Sequence, residues 1–202
     1  NKIDWGYLSK YTNAPWLIYN KPGDPNDGLF IRDENNSPMV FDKKFNKIVS
    51  FENASSSLSF VGDYKFNGQN VTPSFTVLAK EYLNKKYHPE NISSKIEIDS
   101  KIIKKIASEL AETAFENEIR LPIKWTDWKG QEHDEIIGRP VSMHAMRGIS
   151  AHSNGFSTCK LIHILQVLIG SIDTPGGFRY KPPFPKHIVP GPKPAGKTSK
   201  PN

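Results

Sequence analysis

One stretch limits what this chain can fold into more than any other. It runs from Arg139 to Tyr180 and reads RPVSMHAMRGISAHSNGFSTCKLIHILQVLIGSIDTPGGFRY. Pro140 to Ala145 is extended and partly apolar, which suits a strand. Met146 to Gly155 is small, polar and punctuated by Gly148 and Gly155, so it reads as a loop. Ser153 or Asn154 then caps a helix that continues to about Gly170. Phe156, Cys159, Leu161, Ile162, Ile164, Leu165, Val167, Leu168 and Ile169 make that helix apolar on most sides. Only a narrow polar stripe remains, through Lys160, His163 and Gln166. A helix of this kind is expected to lie buried between layers. Asp173-Thr-Pro-Gly-Gly177 ends it.

A strand that feeds a polar loop into a helix N-terminus is the anion-binding arrangement of doubly wound α/β domains. Loop amides and the helix dipole both point toward a ligand such as phosphate. This loop also carries His144, Arg147, His152 and Asn154, with Ser150 and Ser153. These groups can grip a phosphate, or a pterin-like ring rich in donors and acceptors. Gly148 and Gly155 allow a ligand close to the backbone. By spacing alone, a plain strand-to-helix connection remains the other reading.

Composition narrows the classes further. The chain has 202 residues, enough for one or two domains. Its hydrophobic content of 37% is low, and the shortfall sits in Pro- and Asn-rich connections. The net charge is +6, but lysines and acidic residues interleave and the excess gathers in the tail. That pattern argues against a nucleic-acid surface. A single cysteine, Cys159, excludes a disulfide framework and any zinc or iron–sulfur site built from this segment alone. No apolar run reaches the roughly 18 residues of a membrane span. Asn1 falls in mid-element without an initiator methionine or signal peptide. The expectation is a fragment or processed piece, cytoplasmic or held at a membrane through partner subunits.

In chain order, residues 1–19 read as the close of an α/β unit. Trp5, Leu8 and Tyr11 share a helix face, and Ala14 to Ile18 turns extended; Trp16 reads as core packing. Residues 20–71 read as a β-hairpin-rich insertion. GLFIRD and PMVFD pair across Glu34-Asn-Asn-Ser37. A second pair is expected between Lys47–Phe51 and Tyr64–Val71, with Asn67-Gly68 as a tight turn. Asp24, Asp27 and Asp33 lack metal-loop spacing. Residues 72–180 read as an α/β domain with a ligand-facing loop. Pro73 suits a first helical turn, Pro89 interrupts, and Asp99 or Ser100 caps a second helix. Ile102, Ile106, Leu110 and Ala114, beside Ile103, Ala107, Ala111 and Phe115, form a stripe wide enough to dock on a sheet. Lys105 and Glu109 form an exposed pair. Residues 119–138 form an extended arm with Trp125 and Trp128, and His133 reads as part of a solvated charged turn. Residues 181–202 form a Pro-rich linker.

The stretch RPVSMHAMRGISAHSNGF, the apolar helix and GSIDTPGGF together resemble the molybdopterin oxidoreductase family. The likeness is nearest to its sulfur-compound branch of sulfite, thiosulfate, polysulfide and tetrathionate enzymes. The resemblance implies a fragment of a multidomain molybdoenzyme: a strand–glycine loop–helix unit of a doubly wound domain, with a β-hairpin insertion and a Pro-rich linker. It implies a bis(molybdopterin guanine dinucleotide) cofactor with molybdenum, contacted by this segment. Arg147 and His144 are then the candidate catalytic residues. Met146, Gly148, His152, Ser153, Asn154 and Gly155 are the candidate cofactor contacts; Ser153 and Asn154 also serve as caps and Met146 as packing. No molybdenum ligand falls in the chain, and His163 reads as a buried, hydrogen-bonded core residue. A [4Fe-4S] centre is expected in the full-length subunit but not here, where its cysteines are missing. The implied partners are the remainder of the catalytic subunit, an iron–sulfur electron-transfer subunit, plus a membrane quinone-linked subunit. The implied substrate is an inorganic sulfur oxyanion, oxidised or reduced, and the fragment alone is expected to be inactive. The competing expectations are a non-catalytic α/β module that binds a nucleotide or phosphate, and a purely structural lobe.

Overall fold

The computed structural model describes residues 2–127, 130–145 and 147–178. It is a mixed helix-and-strand α/β assembly, and its named strand pairings are all antiparallel. The polypeptide enters through helix α1 (Trp5–Tyr11), capped by Asp4, whose carboxylate accepts the Tyr7 N–H at 2.8 Å. Strand β1 (Leu17–Tyr19) follows and pairs with β5 (Gln69–Pro73), which also pairs with β4 (Tyr64–Phe66). Asn67 and Gly68 join β4 to β5 with φ of 48° and 77°, the doubly positive turn that a two-residue hairpin favours.

Strands β2 (Met39–Asp42) and β3 (Lys47–Ser50) form their own hairpin. The expected partner of β3 is the Tyr64–Val71 region; the structure pairs β3 with β2 instead. The turn at Asn46, with φ of 51°, returns the chain after four residues, so the nearer strand takes the edge. The Ile31–Met39 return holds as a bridge between Arg32 and Pro38 and a hydrogen bond from Met39 N to Ile31 O. Leu17, Ile31, Met39 and Val71 close a small core, with Phe41 stacked on Tyr64 at 3.9 Å.

Beneath it, the carboxylate of Asp42 is wholly buried. It accepts from Ser55 N at 2.6 Å, Ser55 Oγ at 2.9 Å, Lys44 N at 2.8 Å and Phe45 N at 3.3 Å. Burial pulls its pKa up, but these donors outweigh burial and hold it below the usual carboxylate value.

The helices α2 (Ser74–Tyr82), α3 (Pro89–Ile96) and α4 (Ser100–Glu116) come next. Pro73 is the last residue of β5 and sits just before α2 rather than in its first turn. Pro89 opens a helix instead of breaking one, because a proline at the first helical position loses no hydrogen bond. Asp99 caps α4 through Lys101 N at 2.8 Å. The α4 stripe does not dock along its length: Ile102 and Ile106 are exposed and only Ala114 is buried. Lys105 and Glu109 lie 3.7 Å apart on the outer face, as the spacing predicts.

The arm folds as two short ladders, β6 (Ile119–Leu121) with β9 (Ile136–Gly138) and β7 (Trp125–Thr126) with β8 (Glu132–His133). The strand expected over Pro140–Ala145 does not form; the extended pairing ends at Gly138. Two causes act together. Pro140 has no N–H to give a ladder. Arg139 is turned inward, its guanidinium 2.9 Å from Asp4 Oδ2 and 2.6 Å from Glu118 Oε2, with a further bond to the Ala114 carbonyl. The segment then runs irregularly to α5 (Arg147–Ser150) and α6 (Gly155–Leu168).

Helix α6 begins and ends close to where its sequence predicts, but it is not buried between layers within the described residues. Phe156 is 82% exposed, and Leu161 and Leu165 are exposed as well. The polar stripe is divided: Gln166 has no exposed surface and His163 is half-buried, while Lys160 is exposed. Helix α1 packs on the end of α6, with Leu8, Phe75 and Ala14 meeting Val167 and Leu168. Ala114, Val141 and Ile169 close a third cluster.

Candidate functional site

The loop residues singled out by sequence occupy one continuous, solvent-facing segment. Arg147 opens α5, with Gly148 behind it; His152, Ser153 and Asn154 form the turn into α6, and Gly155 starts the helix. Arg147, His152, Ser153 and Asn154 are all exposed. Arg147 makes no ion pair among the described residues. Met146 lies outside the described residues. The expected loop therefore contains one helical turn, Arg147–Ser150, closed by Ala151 N to Arg147 O at 2.9 Å.

Gly155 is required by packing. A Cβ there would overlap the Ser150 carbonyl oxygen, so α5 folds directly onto the start of α6. Gly148, by contrast, has open space where a Cβ would be, which leaves its backbone approachable. Asn154 precedes α6 without a side-chain cap bond, while the first helical amide, Gly155 N, donates to His152 O at 2.8 Å. No Asp or Glu occurs between Glu135 and Asp173, whereas Arg139, Arg147 and Lys160 do. An exposed, carboxylate-free segment with a cation and a helix N-terminus is arranged for an anion.

His144 sits before this turn, exposed, with Ser142 Oγ 3.2 Å from its Nε2 and the Phe178 ring 5.5 Å from its own. Phe178 also contacts His163 at 5.4 Å. The expectation of a hydrogen-bonded His163 is not met: its Nδ1 is buried without a partner among the described residues. Gln166 shares that condition. Its Oε1 accepts Met143 N at 3.0 Å, while its Nε2 is buried and unpaired among the described residues. Two inward polar groups on α6, three residues apart, thus lie under the Ser142–His144 segment with unused capacity. The sequence places Gln166 in a stripe without assigning it a task. Its inward turn depends on the fold of residues 141–145, which periodicity cannot supply.

A separate cleft of about 610 Å³ opens between α1, the arm and the turn after α6. Tyr7 and Tyr11 of α1 line it together with Trp125 and His133 of the arm, and Ile172 and Arg139 also take part. His133 is not a solvated turn residue. Its Nε2 lies 3.0 Å from Asp127 Oδ2, and both side chains are largely covered. Its ring stacks on Trp125 at 4.6 Å, because the two are register partners across β7 and β8. The tryptophan is pinned in turn by its indole N–H to Glu135 O at 2.9 Å. Tyr7 donates to the Ile172 carbonyl, and its pKa is pushed up to about 12, first by burial and then by Asp173, Tyr11 and Asp4. No metal-ligating cluster is found among the described residues.

No protein-family model matches the chain. It is similar to a sulfite dehydrogenase subunit from Allochromatium vinosum (strain ATCC 17899 / DSM 180 / NBRC 103801 / NCIMB 10441 / D), at 40% identity over 203 aligned positions. The alignment takes in 95% of this chain and 21% of that protein. The chain thus spans about a fifth of the length of the curated relative it matches. No described helix is long and apolar enough to cross a membrane.

Proposed function

We propose that the chain is an internal segment of the catalytic subunit of an oxidoreductase acting on an inorganic sulfur oxyanion. The observation that carries this reading is the 40% identity to a sulfite dehydrogenase subunit, sustained across 95% of the chain. We also propose that the turn from Arg147 to Gly155 faces a molybdopterin guanine dinucleotide held jointly with other parts of a longer polypeptide. The donor set suits such a group. It offers the Arg147 guanidinium, the His152, Ser153 and Asn154 side chains, and the uncapped start of α6, with no carboxylate to repel phosphate. When bound, that cofactor supplies two-electron oxygen-atom chemistry.

The residues of this chain then position and charge-match. Arg147 holds a pyrophosphate or a substrate oxyanion in a two-point contact, for which its planar fork is suited and a lysine is not. His144, with its exposed ring, serves as a hydrogen-bond donor or acceptor toward the bound group or substrate. The open backbone at Gly148 admits the ligand; Gly155 keeps α5 against α6 so that the turn has one shape. A [4Fe-4S] centre elsewhere in the longer polypeptide, together with partner iron–sulfur and membrane quinone-linked subunits, belongs to the same proposal. No residue of this chain is assigned as a molybdenum ligand.

The test is Arg147→Ala in the longer enzyme. Loss of a charge-assisted contact is expected to lower kcat/KM for sulfite by about a hundredfold, with Arg147→Lys restoring only part. Unchanged turnover together with unchanged cofactor content would leave the turn a structural connection.

A further inference from the structure

The cleft between α1 and the arm lies on elements other than the Arg147–Gly155 turn, and nothing in the proposed reaction uses it. Its size of about 610 Å³ falls in the range of small-molecule sites. Its walls are aromatic on both sides and are held by bonds other than their own stacking. Tyr7 and Tyr11, four residues apart on α1, pack ring to ring at 5.0 Å, and Tyr7 is fixed by the Ile172 carbonyl. Trp125 is fixed by the Glu135 carbonyl and His133 by Asp127. Burial and the nearby Asp127 carboxylate both raise the Tyr11 pKa, so the two walls stand within electrostatic reach of each other. Such rigid, flat, facing surfaces suit a flat ring.

The His133–Asp127 bond adds a polar preference. A carboxylate accepts only, so Nε2 of His133 carries the hydrogen, and in the neutral ring Nδ1 is then the acceptor. Of the charged groups at the cleft, Asp4 is paired with Arg139 and Glu135 with Arg120, while Lys10 and Asp173 also line it.

We infer that this cleft binds a planar aromatic ring bearing a hydroxyl group, stacked between Tyr7–Tyr11 and Trp125–His133, with His133 accepting the hydroxyl hydrogen. The cleft holds the ring; no bond is made or broken. The inference is independent of the molybdopterin reading and stands or falls without it.

The test is saturation-transfer NMR on the longer enzyme with two probes, 2-naphthol and 2-methoxynaphthalene, in the second of which a methyl group replaces the donor hydrogen. The expected result is about tenfold tighter binding of 2-naphthol, the scale of one hydrogen bond. His133→Phe keeps the stacking surface and is expected to erase that difference. Tyr11→Leu, at an exposed position, weakens both probes together while far-UV circular dichroism stays unchanged. Phe156→Ser, on the exposed face of α6, leaves both affinities as they were. Equal affinity of the two probes, a preference that survives His133→Phe, or loss of binding in Phe156→Ser would each overturn the assignment.

Discussion

Arg139 is the residue on which most of the second half depends. Its guanidinium joins the cap of α1 at Asp4 to the end of α4 at Glu118, and its face lies over the Phe115 ring at 4.6 Å. All three ionic side chains are largely covered, so removing the cation leaves the Asp4 carboxylate without its ion pair and Glu118 with Arg120 alone. Arg139→Gln is expected to cost about 3 kcal/mol in urea unfolding. Lys105→Gln, on the exposed α4 pair, is expected to change stability by less than about 0.5 kcal/mol.

The same residues set an acid limit. The Glu118 carboxyl is held below its ordinary 4.5 chiefly by the Arg120 hydrogen bond, with Arg139 adding to it, and Asp42 is held below its ordinary 3.8 by its four donors. A depressed folded pKa contributes stability above the unfolded value and loses it as pH falls through the folded one. Unfolding free energy is therefore expected to be flat at neutral pH and to fall below about pH 4.5. Asp42→Asn should be less stable at pH 7 and show a shallower acid limb; an unchanged limb would remove Asp42 from the account. Sequence offers little of this, because partners such as Asp4 and Arg139 stand 135 positions apart and share no local pattern.

At the scale of elements, what can be read depends on how local the cause is. The Asp99 cap, the Asn67-Gly68 turn, the span of α6 and the α1 helix all follow from neighbouring residues and appear where expected. The strand over Pro140–Ala145 fails because the tertiary pull on Arg139 and the missing proline N–H outweigh β-propensity. The partner of β3 and the inward turn of Gln166 also depend on distant chain. The candidate turn itself is legible as a cluster of polar residues and glycines. Its internal helical turn, and the need for Gly155 imposed by the Ser150 carbonyl, are not.

Helix α6 carries the clearest prediction at this scale. Its Phe156 is 82% exposed, and Leu161 and Leu165 are covered only in part by the described residues. Phe156→Ser with Leu165→Gln is expected to change the stability of the 202-residue chain by less than about 0.5 kcal/mol per site while raising its solubility. A loss of several kcal/mol in urea unfolding would show that this face is already packed.

The described residues gather in three small cores rather than one, centred on Leu17 and Val71, on Leu8 and Phe75, and on Ala114 and Ile169. They are joined by α1 and by the Arg139 ion pairs. The apolar surface left on α4 and α6 fits the proposal that further polypeptide completes these layers, as does a relative about five times longer. The Arg147–Gly155 turn lies at the start of one such incompletely covered helix. The central claim is that it faces a shared pterin cofactor. The direct measurement is the molybdenum and guanine nucleotide released on denaturing the longer enzyme, compared with an Arg147→Ala, Asn154→Ala variant. The account predicts stoichiometric molybdenum with guanine nucleotide in the parent and a clear loss of both in the variant. A parent that yields no molybdenum, or a variant that retains all of both, contradicts it.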